Sequence, residues 1–206
     1  MENRRKVVLV GVIGVSLMAL PAFGQQGNSV PAPLNESGQV LVDGHSTPYV
    51  IHRLPIGSFP DLPEAVAGLL NLRGCLIPQT YQAHHPENVV HASLERAGSS
   101  DWAMLCSVKG TVSLLVYFAS SPASLQTLAS APENVRLQAH NITGILGFNW
   151  GIDPATPEQI REARSGMEHR PPVLDHDALA DSMIDHRTVY RFYLRSAWTV
   201  LDMPDE

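Results

Sequence analysis

The chain has 206 residues, 44% of them hydrophobic, and sets 14 Lys and Arg against 20 Asp and Glu for a net charge of −6. That content supports a real hydrophobic core at this length. The acidic balance, with no Lys/Arg cluster after residue 6, argues against general binding to a phosphate backbone or an anionic membrane surface, both of which need a basic face.

Residues 1–24 read as a signal peptide. Arg4, Arg5 and Lys6 give a positive start. Val7 to Leu20 is an apolar run interrupted only by Gly11, Gly14 and Ser16, and Ala22-Phe23-Gly24 supplies small residues for cleavage. The run is shorter than the roughly 18–20 residues that span a bilayer, so the alternative of an uncleaved anchor fits less well. No later segment is long and apolar enough to cross. Cleavage before Gln25 takes 14 basic residues to 11 and 20 acidic to 19, a net of −8. The expected location is periplasmic or secreted.

Residues 25–47, rich in Gly, Ser, Pro, Asn and Gln, read as a flexible leader. Residues 48–206 read as a single α+β domain, an antiparallel sheet with about three helices on one face or at its ends. Tyr49-Val50-Ile51 starts it as a short edge strand. A helix follows from Asp61, with Asp61 and Glu64 as a capping box and Gly74 as the stop. Tyr81 to Glu87 is a polar loop. Val89, Val90 and Ala92 begin a strand that ends at the Ala97-Gly98-Ser99-Ser100 connection, and Trp102 to Cys106 and Val112 to Phe118 read as the next two, the middle one apolar enough to be covered on both faces. Lys109-Gly110 makes a tight turn between the last two. Ser120 to Pro132 reads as a connection with a helical turn around Leu125 and Leu128. Val135 to Ala139 and Ile142 to Trp150 are two further strands. Asn141-Ile142-Thr143 matches a glycosylation sequon.

Thr156-Pro157-Glu158-Gln159 carries the start signals of a second helix, which Pro171-Pro172 ends. Asp175 to Asp185 reads as a third. Thr188 to Leu194 and Ala197 to Met203 alternate as strands. Arg195-Ser196 is poor chemistry for a two-residue turn and predicts a looser loop. Cys75 and Cys106 are the two cysteines. In an oxidising compartment pairing is their default, and a bridge would tie the first helix to the sheet. The rival reading is a reactive thiol, for which there is no Cys-x-x-Cys.

Leu72-Arg73-Gly74-Cys75-Leu76-Ile77-Pro78-Gln79, Asn88-Val89-Val90 and Asp101-Trp102-Ala103-Met104-Leu105-Cys106-Ser107 together resemble a group of uncharacterised secreted or periplasmic bacterial proteins. In that group a Gly-Cys-x-Ile-Pro-Gln stretch precedes an Asp-Trp-Ala strand ending in Cys-Ser. The resemblance implies export and a shared fold and brings no activity. Glu95 to Asp101 is more faintly similar to the calcium loop of FG-GAP repeats, but the alternating aspartates are missing and only Asp101 matches.

Two constellations carry candidate chemistry. His84, His85 and His91 supply imidazoles, although without the His-x-x-x-His spacing of a zinc helix. Asp177, Asp181 and Asp185 are four apart, which on a helix makes one stripe that ends beside His186. Asp101 joins the first group as a nearby carboxylate. Solvated or structural side chains are the plainer account of both. There is no Gly-x-Ser-x-Gly elbow, P-loop or dinucleotide glycine pattern, and no cofactor is expected. The expected function is an exported, non-catalytic binding or interaction module of the cell envelope, taking an envelope protein or a small ligand and no nucleic acid. The alternative is a metal-assisted hydrolase built on the His/Asp residues.

Overall fold

A computed structural model describes residues 34–139, 144–165 and 173–202, all within the compact unit Ala32–Glu206. The expected signal peptide, the first part of the expected leader, the Asn141 sequon and Pro171-Pro172 lie outside these residues.

The described chain opens on a hairpin. β1 (Asn35–Val42) and β2 (His45–Pro55) pair antiparallel from Asn35↔His52 to Val42↔His45. The flexible leader expected over 25–47 is therefore corrected where it is described. Asp43 and Gly44 link the strands, with φ of 49° and 80°, and Asp-Gly is a strong short hairpin signal. Gly38 lies against the Tyr49 ring, where a Cβ would come within 2.9 Å of it.

A single turn of 3-10 helix (Ile56–Ser58) leads to α1 (Glu64–Arg73), which begins after Pro63 without a side-chain cap. The Asp61 cap is thus not used. Gly74 ends the helix at φ 73°, in the left-handed region that favours glycine, and its N–H bonds back to Asn71. β3 (Leu76–Gln79), β4 (Val89–Ala92), β5 (Asp101–Val108) and β6 (Thr111–Tyr117) follow, with Lys109-Gly110 as the tight β5–β6 turn. The connection expected over Ser120 to Pro132 is instead largely strand β7 (Gln126–Pro132), paired with β6. A 3-10 turn (Glu133–Arg136), β8 (Leu137–Ala139) and β9 (Leu146–Phe148) complete a mixed nine-stranded sheet. Its main path runs β7-β6-β5-β3-β2-β9-β8, with β1 on β2 and β4 on β5. Its parallel pair is β2 with β9, Tyr49↔Leu146 and Val50↔Gly147.

At Asn149 the chain crosses to a second sheet. β10 (Trp150–Ala155), β11 (Ala178–Met183), β12 (Arg187–Leu194) and β13 (Ala197–Asp202) form it in sequence order, all antiparallel. Between β10 and β11 lies α2 (Pro157–Ala163), capped as its sequence predicts: Thr156 accepts from Gln159 N–H and Gln159 reaches back to Thr156. The third helix, over Asp175 to Asp185, is corrected to strand β11 and its flanks. The α+β class with three helices is corrected with it. The described residues form a mostly β architecture of two sheets with two α-helices.

Burial explains the layering. β5 is buried along nearly its whole length. Ala103 and Leu105 turn to one face, where Ile51, Leu114, Val116 and Phe148 meet Trp150, Ile152 and Leu179 of the second sheet. Trp102, Met104 and Cys106 turn to the other face, against Val66 and Leu70 of α1. Ile160 of α2 covers the outer side of the second sheet, over Ala178 and Phe192. Each large aliphatic or aromatic side chain buried this way stabilises by about 1.5–3 kcal/mol. Cys75 and Cys106 are disulfide-bonded, Cα atoms 5.1 Å apart, and join the end of α1 to the centre of the large sheet. Among the described residues no helix is long and apolar enough to cross a membrane.

Candidate functional site

A cleft of about 590 Å³ opens between β2, β9 and the loop after β3. Val50, His52 and Leu54 alternate along β2 and so share one face, opposite Ile51 and Arg53. Ile145, Gly147 and Phe148 form the wall beside them, and Gln79 to Tyr81 with Ala83 to Pro86 form the rim.

The rim loop is held at both ends by side chains. Gln79, buried, donates to the Ile77 and Glu87 carbonyls at 3.1 Å each and accepts from Glu87 N–H at 2.9 Å. Glu87 in turn accepts from Thr80 N–H at 2.7 Å. The Tyr81 N–H bonds the Phe148 carbonyl, 2.9 Å, and its hydroxyl donates to Asp185, 2.6 Å. Gln82 donates to the same Asp185 oxygen. Asn88 closes the loop from φ 67°, a left-handed geometry that Asn tolerates better than most residues. Its amide donates to the Pro78 and Trp150 carbonyls, and its Oδ1 accepts from Ile152 N–H at 3.0 Å. One buried side chain thus clamps the loop to both sheets. A loop tied at this many points presents its cleft preformed.

The sequence-predicted residues are spread over separate places. His84 and His85 line the cleft. His91 lies exposed on β4, stacked on Trp102 at 4.5 Å, with Nε2 2.8 Å from the Ser100 hydroxyl. Asp101, fully buried, accepts from Glu95 N–H at 2.8 Å, from Ala119 N–H at 3.0 Å and from the Ser99 hydroxyl. That carboxylate organises the 95–100 turn. Asp177 accepts from Ser93 N–H while its own N–H donates to Ser93 carbonyl, both at 3.0 Å. Asp181 is buried between the sheets, bonded to Trp150 Nε1 at 2.6 Å and Arg191 Nε at 2.7 Å. Asp185 serves the rim loop, and His186 borders a shallow recess at the β11–β12 turn. The helical stripe through Asp177, Asp181 and Asp185 is replaced by strand β11, which holds Asp181, with Asp177 just before it and Asp185 in the turn that follows. Among the described residues no three His, Cys, Asp or Glu side chains are grouped to hold a metal ion.

His52 joins His84 and His85 on the cleft, a residue the sequence offered no reason to select. The link is the parallel β2–β9 pairing, for which no local signal exists. Comparison with protein-family models, curated proteins and solved structures finds no match for this chain.

Proposed function

We propose that the chain is an exported, non-catalytic binding module whose site is the cleft between β2, β9 and the 79–86 loop, and that it belongs with the exported bacterial proteins its Gly-Cys-Leu-Ile-Pro-Gln stretch resembles. The observation that carries the binding reading is the clamped rim. Gln79, Asn88 and Tyr81 commit their polar groups to fixing a loop over an apolar-walled space of about 590 Å³, a size suited to a small molecule. The Cys75–Cys106 bridge supports export, since such bridges persist in oxidising compartments.

The binding test uses the full exported protein and a neutral apolar fluorophore, N-phenyl-1-naphthylamine. Fluorescence enhancement should saturate at one probe per chain. Ala83→Trp and Val50→Trp, each placing an indole in the cleft, should abolish it with the thermal transition retained. No saturable enhancement in the natural protein, or unchanged binding by both folded variants, rejects the site. Export is tested by fractionating expressing cells and taking the mass of the product. A mature N-terminus near Gln25 outside the cytoplasm is expected, and a full-length cytoplasmic chain would count against it.

A further inference from the structure

The polar atoms around the cleft divide into those already committed and those still open. Both functional ends of Gln79 are used within the loop. The Thr80 hydroxyl accepts from Gln82 N–H, and the Tyr81 hydroxyl donates to Asp185. Three imidazoles remain. His52 engages Asn35 Oδ1 through Nδ1 at 2.9 Å, and His85 engages its neighbour Pro86 carbonyl through Nδ1 at 3.3 Å. A carbonyl oxygen only accepts, so Nδ1 donates in His85, and Nε2 is the nitrogen left over. His84 has no hydrogen-bond partner among the described residues.

The charge of the lining is equally one-sided. No Asp, Glu, Lys or Arg is among the lining residues and Tyr81 keeps its proton up to about 12, so near neutral pH the three histidines are the lining groups that can carry charge, and that charge is positive. Glu87 and Asp153 stand close enough to interact electrostatically, and His85 acts on Asp153, but neither carboxylate lines the cleft. A cationic ligand would meet no counter-charge inside. An anion would meet the imidazoles of His84 and His85 at the rim, and that of His52 beside Val50 and Leu54 on β2, each a charge-assisted donor when protonated.

We infer that the cleft takes an apolar small molecule bearing one anionic group, the apolar body lying on the β2–β9 floor and the anion held by His84 and His85. This rests on the cleft being the ligand site, and the test separates the two. At about pH 6, where an imidazole is largely charged, the full chain is titrated with two probes of similar ring size, the sulfonate 1-anilinonaphthalene-8-sulfonate and neutral N-phenyl-1-naphthylamine. His84→Gln/His85→Gln should weaken the sulfonate probe by about ten-fold, the loss expected of a charge-assisted bond. The neutral probe should stay within about two-fold, since its contacts are apolar. Equal change for both probes, or none for the sulfonate, overturns the anionic class while leaving the cleft as a site. Failure of the sulfonate alone to bind the natural protein likewise overturns the anionic class, and failure of both probes rejects the site itself. The Gln pair lies on the exposed rim, and melting of the variant confirms that it folds.

Discussion

The hydroxyl of Tyr81 donates to Asp185 at 2.6 Å across 104 positions of sequence, joining the rim of the cleft in the first sheet to the β11–β12 turn of the second. Burial first, and the bond to Asp185 second, push the Tyr81 hydroxyl up to about 12. A raised tyrosine value means that the folded state holds the proton more tightly than the unfolded one. The contribution to stability is complete below the ordinary value of about 10 and is lost as pH rises through about 12. Tyrosinate absorbance in an alkaline titration should show one step near 12 that disappears in Tyr81→Phe and moves down in Asp185→Asn. A titration that is the same in all three proteins would refute the link.

Arg53 and Glu133 form a second long-range pair. The guanidinium meets Glu133 through Nε at 2.9 Å and through Nη2 at 2.6 Å, and both side chains are almost fully buried. Ser107 donates to the same carboxylate at 2.6 Å, and Glu36 takes a further Arg53 bond at 2.7 Å. Removing one member of a buried pair leaves the other charge stranded, at a cost of about 3–5 kcal/mol. Arg53→Met should therefore destabilise by that amount in urea unfolding, whereas the double change Arg53→Met/Glu133→Leu should recover much of it. A double variant worse than the sum of the singles would contradict this account.

The Glu36 carboxyl gives the same network a pH signature. Its bond to Arg53 is the largest influence and, with that to Tyr49, outweighs partial burial, holding it below the ordinary carboxylate range. A lowered value favours the charged form in the folded state. Its contribution is complete above the unfolded value and is lost as pH falls through the lowered folded one. Between about pH 5 and pH 3, the urea midpoint of the natural protein should fall more than that of Glu36→Gln. Parallel curves would count against it.

The β12–β13 turn offers the converse, a stabilising change. Arg195 and Ser196 both adopt positive φ, 52° and 64°, in a two-residue link between paired Leu194 and Ala197. Non-glycine residues pay about 1–2 kcal/mol each for left-handed backbone. Arg195→Asn/Ser196→Gly matches the residues to a type I′ geometry and should raise the thermal midpoint by several degrees, at about 1 kcal/mol or more. A lowered midpoint would show that the two side chains contribute more than their backbone costs.

Features that were legible in the sequence are local. Thr156 and Gln159 meet within one helical turn, and Lys109-Gly110 closes a hairpin with its own neighbours. Asp43-Gly44 was equally local but lay inside a polar segment whose composition masked it. Asp175 to Asp185 fits two periods at once: its acids recur every four residues, while Leu179, Asp181 and Met183 alternate with Ala178, Ala180 and Ser182. Partners from elsewhere decide between them. Trp150 and Arg191 bond Asp181, and β10 and β12 flank the strand. Arg195-Ser196 shows the same override, since the register of two strands imposes a turn its residues do not favour. His84 and His85 could be singled out as neighbouring imidazoles. The cleft beside them could not, because its floor exists only where Val50 meets Gly147.

That meeting of β2 with β9 has a consequence for the order of assembly. Tyr49 must wait for Leu146, with most of the intervening strands between them in the chain. Closing so long a loop is entropically costly and slow, whereas the β1–β2 and β5–β6 hairpins close over two residues and can form early. The floor of the cleft is then among the last surfaces to be completed. A probe that lights up there during refolding would mark the arrival of the native state.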